Sequence, residues 1–132
     1  MHTRLLMSAS AIVMAALGLV ATFAPQETLA ALGSTSDGLA VLLAQIAGAL
    51  YLGWAAVNWM SRANLVGGIY NRPVALGNFL HFTVVALASL KMLLAGHHPP
   101  VLVAGAVVYA AFCVWFGLVL FTHPGNAAKP RD

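Results

Sequence analysis

The chain has very little charge. Its 132 residues include only six Lys and Arg and three Asp and Glu, or 7% charged residues, against 61% apolar ones. Soluble proteins carry roughly 25% charged residues, so this composition cannot cover a surface that faces water. The single cysteine, Cys113, excludes a disulfide scaffold. The net charge of +3 includes no basic run that could follow a phosphate backbone, which excludes a nucleic-acid partner. A membrane protein remains.

Long apolar segments account for most of the chain. They cover about 5–24, 38–60, 73–95 and 100–121. Each has the roughly 20 residues that a helix needs to cross a hydrocarbon core of about 30 Å. The sequence therefore predicts an all-α fold: one integral membrane domain over the whole chain, built as a four-helix transmembrane bundle.

The first segment has a second interpretation as a secretory signal peptide. Arg4 precedes it, and Thr28-Leu29-Ala30 has the small residues of a cleavage site. Its apolar stretch is longer than the 7–15 residues of an ordinary signal peptide, so we expect it to be retained as a span. A short helix is predicted directly after it, with Pro25 in its first turn and Gly33 after its end.

The positions of the charges predict the orientation. Four spans place both termini and the second loop on one side, which holds five of the six basic residues: Arg4, Arg62, Arg72, Lys129 and Arg131. The loops on the other side contain Glu27 and Asp37 and no basic residue. By the positive-inside rule, both termini are predicted to lie in the cytoplasm.

Polar and aromatic side chains recur on spans two and three. On span two they are three and four residues apart, and Asn78 and His81 on span three are three apart, so each set shares a helix face. Folding the two spans into a hairpin places His81 level with Tyr51 and Asn78 near Asn58. A cluster in the cytoplasmic half of the bundle is therefore predicted as a ligand-binding site, consisting of Tyr51, Trp54, Asn58, Asn78 and His81.

His81 is the member of this cluster with the widest chemistry. An ionisable residue within a membrane span is a functional-site hypothesis, because its desolvation must be offset. The alternative is a structural histidine, bonded to Tyr51, to an asparagine or to a backbone carbonyl. No carboxylate occurs in any span, so His81 has no acidic partner for a proton relay or a catalytic triad.

Three basic residues are candidates for contact with a lipid headgroup or another anion. Arg62 and Arg72 flank the second loop, where setting the topology is their simplest role. Lys91 lies near the outer end of span three. We expect it to extend to the outer headgroups, with a hydrogen bond to Gln45 as the alternative.

Motifs for catalysis and cofactor binding are missing. The sequence contains no phosphate-binding glycine loop, no Ser-His-Asp set and no paired carboxylates, so no catalytic residue is assigned and an enzyme is disfavoured. His97 and His98 are too few ligands for a metal site on their own. No metal and no cofactor is expected.

Several short runs resemble a family of small bacterial membrane proteins. They are Gly48 to Trp54, Asn58 to Met60, Gly67 to Pro73 and Gly77 to Phe82. This pattern, which covers about a third of the chain, is similar to four-span proteins described as DoxX-like. The resemblance implies a four-helix bundle in the bacterial inner membrane. It implies no activity, and it transfers no catalytic residue.

Three functions are consistent with the sequence. The first is a non-enzymatic protein that binds a small apolar or lipid-like molecule within the bundle through the predicted cluster. The second is an accessory or assembly subunit of a larger membrane complex, in which the same cluster only joins spans two and three. The third is a small proton-coupled carrier that uses His81 and Lys91. Membrane lipid is the expected partner, with a homo-oligomer or a larger complex as a further option.

Overall fold

Five α-helices form the part of the chain that the computed structural model describes, which is residues 3–63 and 72–122. Four of them are long and apolar enough to cross a membrane, which confirms the predicted all-helical protein with four candidate spans. The span ends lie within two residues of the predicted ones. In chain order the helices are α1 (Thr3–Phe23), α2 (Pro25–Ala31), α3 (Gly38–Ser61), α4 (Arg72–Leu94) and α5 (Pro100–Thr122).

The helix ends follow from local sequence signals. Asp37 precedes α3, and its Oδ1 accepts a 2.8 Å hydrogen bond from the backbone N–H of Ala40, as an N-cap residue does. Pro25 occupies the first turn of α2, and Gly33 follows that helix with a φ of 74°. Gly96 follows α4 with a φ of 89°, a conformation that glycine adopts without steric cost. The short helix predicted after the first span is confirmed.

The four spans form two close antiparallel pairs. α1 packs along α3, and α4 packs along α5, while the two pairs approach each other less closely. Within the second pair, the Thr83 hydroxyl lies 3.2 Å from Cys113 Sγ. α1 and α4 begin, and α3 and α5 end, at the same end of the bundle. We call this end the α3–α4 end. Lys129 and Arg131, on which the predicted orientation partly depends, lie outside the described residues, as does 64–71.

Two glycines allow α1 and α3 to approach closely. A Cβ atom added to Gly48 would overlap Thr22 Oγ1 and would lie 2.9 Å from the backbone oxygen of Gly18. A Cβ atom on Gly18 would lie 2.9 Å from the backbone oxygen of Gly48. Between helices in lipid, close packing replaces the hydrophobic effect as a source of stability, so this crossing contributes directly to the fold.

The core lies towards the α3–α4 end and is rich in aromatic rings. Phe82 on α4 is fully buried and stacks on Phe112 and Phe116 of α5, with ring centroids 4.8 and 5.6 Å apart. Leu6 and Met14 of α1 complete this core from the other helix pair. Most other apolar side chains point outward, as expected where the solvent is lipid.

Candidate functional site

A pair of buried asparagines joins the two helix pairs. Asn58 on α3 and Asn78 on α4 are both completely buried. Each side-chain amide nitrogen donates to the amide oxygen of the other residue, and both distances are 2.7 Å. The structure thus brings these two predicted site residues together in a reciprocal hydrogen-bonded pair.

The remaining donors of this pair are also occupied. The second N–H of Asn58 can reach Ser10 Oγ on α1 at 3.1 Å, and the second N–H of Asn78 donates to the Val74 carbonyl at 2.9 Å. The Ser10 hydroxyl donates in turn to the Met7 carbonyl. Every amide hydrogen of Asn58 and Asn78 therefore has an acceptor within the protein.

A second cluster of polar side chains lies near the middle of the spans. Tyr109 on α5 donates a hydrogen bond to the Tyr51 hydroxyl on α3. The His81 ring on α4 contacts both tyrosines, with centroid distances of 5.3 Å to Tyr51 and 5.8 Å to Tyr109. At 1.5 Å per residue, Tyr51 lies about 15 Å from the end of α3, which is half the thickness of a hydrocarbon core.

Among the described residues, the contacts of the His81 side chain are with the rings of Tyr51, Phe82 and Tyr109. Its Nε2 atom is buried and has no hydrogen-bond partner among the described residues. The structural histidine considered above, with a hydrogen bond to Tyr51, to an asparagine or to a carbonyl, is therefore not what the structure shows. The Tyr51 hydroxyl oxygen accepts the hydrogen bond from Tyr109. The hydroxyl hydrogen of Tyr51 has no acceptor among the described residues.

We expect His81→Phe to leave the free energy of unfolding unchanged or to raise it by up to about 1 kcal/mol. Phenylalanine keeps the ring contacts and removes a buried polar atom that has no partner, which is a group of the kind that costs about 1–3 kcal/mol. Unfolding in mixed micelles with increasing denaturing detergent measures this. The control, Tyr109→Phe, removes a hydrogen bond and should lower stability by about 1 kcal/mol. A decrease of more than 1 kcal/mol in the free energy of unfolding of His81→Phe would contradict the conclusion that His81 Nε2 has no hydrogen-bond partner.

Trp54 borders an apolar groove between α3 and α4. Its indole lies against Gly77, where an added Cβ atom would overlap the ring. Beside this contact is a groove of about 500 Å³, lined by Ala49, Leu50, Gly53, Trp54, Val57, Pro73 and Val74. None of these seven residues is charged. The sequence singled out Trp54 for the polar cluster, and the structure places it at the groove instead of on the asparagine pair.

The three candidate anion contacts have different surroundings. The Arg62 guanidinium lies 3.7 Å above the Trp59 ring, and its Nη1 donates to the Trp59 carbonyl at 2.7 Å. Arg72 lines a second groove, of about 600 Å³, between α4 and α5. Lys91 is exposed near the other end of α4.

The part of the chain that the structure describes shows no contact that supports either hypothesis involving Lys91, the hydrogen bond to Gln45 or the proton carrier. Gln45 Nε2 donates to the Thr22 carbonyl at 3.5 Å, and the described residues show no hydrogen bond between Gln45 and Lys91. His81 and Lys91 lie ten residues apart on α4, about 15 Å along the axis, and no described contact joins them. The two residues of the proton-carrier hypothesis are thus separate.

Two residues of the polar interior were missed by reading the sequence. Ser10 and Tyr109 come from α1 and α5, and they complete the hydrogen bonds of Asn58 and Tyr51. Ser10 is one of several small polar residues of α1, and Tyr109 is the tyrosine of a mostly apolar α5, so neither carries a strong signal in the sequence. The hairpin register that relates α3 to α4 carries no information on the register of α1 or α5.

No metal-binding group is present in the part of the chain that the structure describes: nowhere in 3–63 or 72–122 do three His, Cys, Asp or Glu side chains lie close enough to hold an ion.

Comparison of the chain with protein-family models, curated proteins and solved structures finds no match.

Proposed function

We propose that this protein, placed in the bacterial inner membrane with both termini in the cytoplasm, binds a lipid-like molecule along the groove between α3 and α4. One observation supports this most directly. α3 and α4 follow each other in the chain, yet α3 packs mostly on α1 and α4 mostly on α5. The contacts between α3 and α4 include the asparagine pair, the Tyr51–His81 contact and the Trp54–Gly77 contact. The apolar groove lies beside these contacts.

The lining of the groove defines the class of molecule. Seven uncharged residues line about 500 Å³, which is within the roughly 300–1,000 Å³ of small-molecule sites. Gly53 has no atom within 4 Å of an added Cβ, so a hydrocarbon chain can approach the α3 backbone there. We therefore assign the groove to one acyl or isoprenoid chain lying along Trp54.

The residues of the predicted cluster then have different roles. Asn58 and Asn78 hold the helix pairs together, because their donors are used within the protein. Trp54 forms a wall of the groove. Tyr51 and His81 remain proposed contacts for a polar group of the bound molecule, since the Tyr51 hydrogen and His81 Nε2 have no described partner.

We expect Gly53→Leu to reduce binding of a lipid-like molecule at this groove by at least about fivefold, the factor that corresponds to about 1 kcal/mol. An added Cβ atom at Gly53 has no neighbour within 4 Å, so the larger side chain extends from there into the groove. A phospholipid with a photoreactive diazirine in its acyl chain, incorporated into nanodiscs with the protein, measures this as label recovered on α3 and α4.

The matched control is Gly105→Leu on α5. Gly105 also has no atom within 4 Å of an added Cβ, but it does not line the groove. The label recovered on α3 and α4 of Gly105→Leu should equal that of the wild type. Equal labelling of all spans in the wild type would contradict the proposal. So would a dimer that Gly53→Leu dissociates, because a second copy of the chain would then cover the groove.

The assembly-subunit alternative is supported by the asparagine pair alone. Asn58 and Asn78 have no free donor for a ligand, which is what this alternative expects of residues that only join spans. It predicts that the purified protein shows no enrichment of label at the groove and is recovered from membranes in a complex with other proteins.

A further inference from the structure

A cation and an apolar groove meet at the α3–α4 end of the bundle. The groove lies between the first turns of α4 and the end of α5 and has a volume of about 600 Å³. Its lining consists of Arg72, Pro73, Leu76, Leu120 and Phe121. Arg72 is the first residue of α4, and Leu76 follows one turn deeper in the span. The groove therefore carries a positive charge at its mouth and apolar side chains below it.

The charge on Arg72 is not neutralised by the described part of the protein. Glu27 and Asp37, the acidic residues within 3–63 and 72–122, lie at the opposite end of the spans. No ion pair joins Arg72 to another described residue. An anion at this groove would thus meet an arginine without a competing carboxylate.

The other candidate cations differ in this respect. Arg62 is stacked on Trp59 and bonded to its carbonyl, so its guanidinium is already engaged. Lys91 lines neither this groove nor the one between α3 and α4. Of the three residues that the sequence singles out, Arg72 combines an available charge with an apolar surface beneath it.

The floor of the groove is shaped by an aromatic contact. Phe121 is 69% exposed, and its ring meets Phe79 of α4 edge to face at a centroid distance of 5.6 Å. Leu76 is 45% exposed beside it. Phe79 thus supports Phe121 on the lipid-facing side, where an acyl chain attached to a headgroup at Arg72 would run.

We propose that Arg72 and this groove form a binding site for an anionic phospholipid. The phosphate accepts hydrogen bonds from the Arg72 guanidinium, which can bind phosphate in a bidentate manner. One acyl chain lies against Leu76, Leu120 and Phe121. This site shares Pro73 with the groove of the proposed function, but its other lining residues differ and the proposal does not depend on that function. With the predicted orientation, it opens to the cytoplasmic leaflet, where anionic lipids attract basic residues near the membrane surface.

Native mass spectrometry of the detergent-solubilised protein tests the site. The protein is titrated with phosphatidylglycerol and, separately, with phosphatidylcholine of the same acyl chains. The wild type should bind phosphatidylglycerol more tightly. Arg72→Gln should weaken that binding about fivefold, the factor typical of one basic residue near a membrane surface, and leave phosphatidylcholine binding unchanged. Arg72→Lys should recover most of the loss, because it restores the charge.

The control variant is Arg62→Gln, which should change phosphatidylglycerol binding by less than about twofold because the Arg62 guanidinium is engaged by Trp59. Inorganic phosphate should not compete at equal concentration, since it lacks the acyl chain. Three results would overturn the proposal: a wild type without preference for the anionic lipid, equal losses for Arg62→Gln and Arg72→Gln, or full competition by inorganic phosphate. Melting temperatures of the variants identify any loss that is due to unfolding.

Discussion

Asn78→Leu is expected to lower the free energy of unfolding by about 1–3 kcal/mol. The substitution removes both bonds of the amide pair and leaves the Asn58 amide oxygen buried without a donor. A buried polar group that loses its partner costs about this much. The reference state in a membrane also offers partners to polar groups, which keeps the loss below what an apolar medium alone would suggest. Reversible unfolding in mixed micelles with increasing denaturing detergent measures the change.

A double-mutant cycle shows whether the loss belongs to the pair. Replacing both partners by apolar residues removes the orphaned group, so Asn58→Leu combined with Asn78→Leu should be about 1–2 kcal/mol more stable than the sum of the two single losses. Gln45→Leu is the matched control, because this exposed amide makes one long hydrogen bond of 3.5 Å. It should change stability by less than about 0.5 kcal/mol. Additive losses in the cycle would mean that the two amides do not act as a pair.

Gly48→Ala is expected to destabilise the protein by about 1–3 kcal/mol, the usual cost of overpacking. The new methyl group would lie 2.8 Å from the backbone nitrogen of Thr22 and 2.9 Å from the backbone oxygen of Gly18. Both neighbours are backbone atoms, so no rotation of a side chain can relieve the overlap and α1 must move away from α3. The same unfolding assay measures the loss.

Gly53→Ala serves as the control for this prediction. Gly53 lies on the same helix, and an added Cβ there has no neighbour within 4 Å. Alanine is the better helix former by roughly 0.5–1 kcal/mol, so Gly53→Ala should leave stability unchanged or slightly increased. If both alanine variants are equally stable, the close crossing at Gly18 and Gly48 is not a source of stability. The comparison separates packing from helix propensity within one helix.

Much of the architecture can be predicted from this sequence because its signals are local. Hydrocarbon thickness sets the length of a span, so the four apolar segments are found from composition and length alone. Asp37 and Gly33 mark helix ends through their own side chains or backbone angles. The hairpin register, which places residues of α3 and α4 with constant sum opposite each other, also predicts that Asn58 lies near Asn78 and Tyr51 near His81.

The roles of these residues could not be predicted in the same way. Two asparagines at the same level can bind a ligand or each other, and the choice depends on a rotation of each helix about its axis by a fraction of a turn. The structure shows the reciprocal pair, and it shows that the free donors are taken by Ser10 on α1 or by the Val74 carbonyl. Trp54 belongs to the same helix face in the sequence, yet its ring lies on Gly77 and borders a groove.

A helical protein with four candidate spans can be read from the amino-acid sequence, because scarce charge and long apolar segments are properties of single segments in their solvent. Which polar groups have hydrogen-bond partners depends on how the helices pack. The tertiary structure pairs Asn58 with Asn78, leaves His81 Nε2 without a described partner, stacks Arg62 on Trp59 and places Arg72 at the mouth of a groove. Hydrogen bonds and packing act over about 3–4 Å, a distance at which the rotation and crossing of neighbouring helices determine every contact.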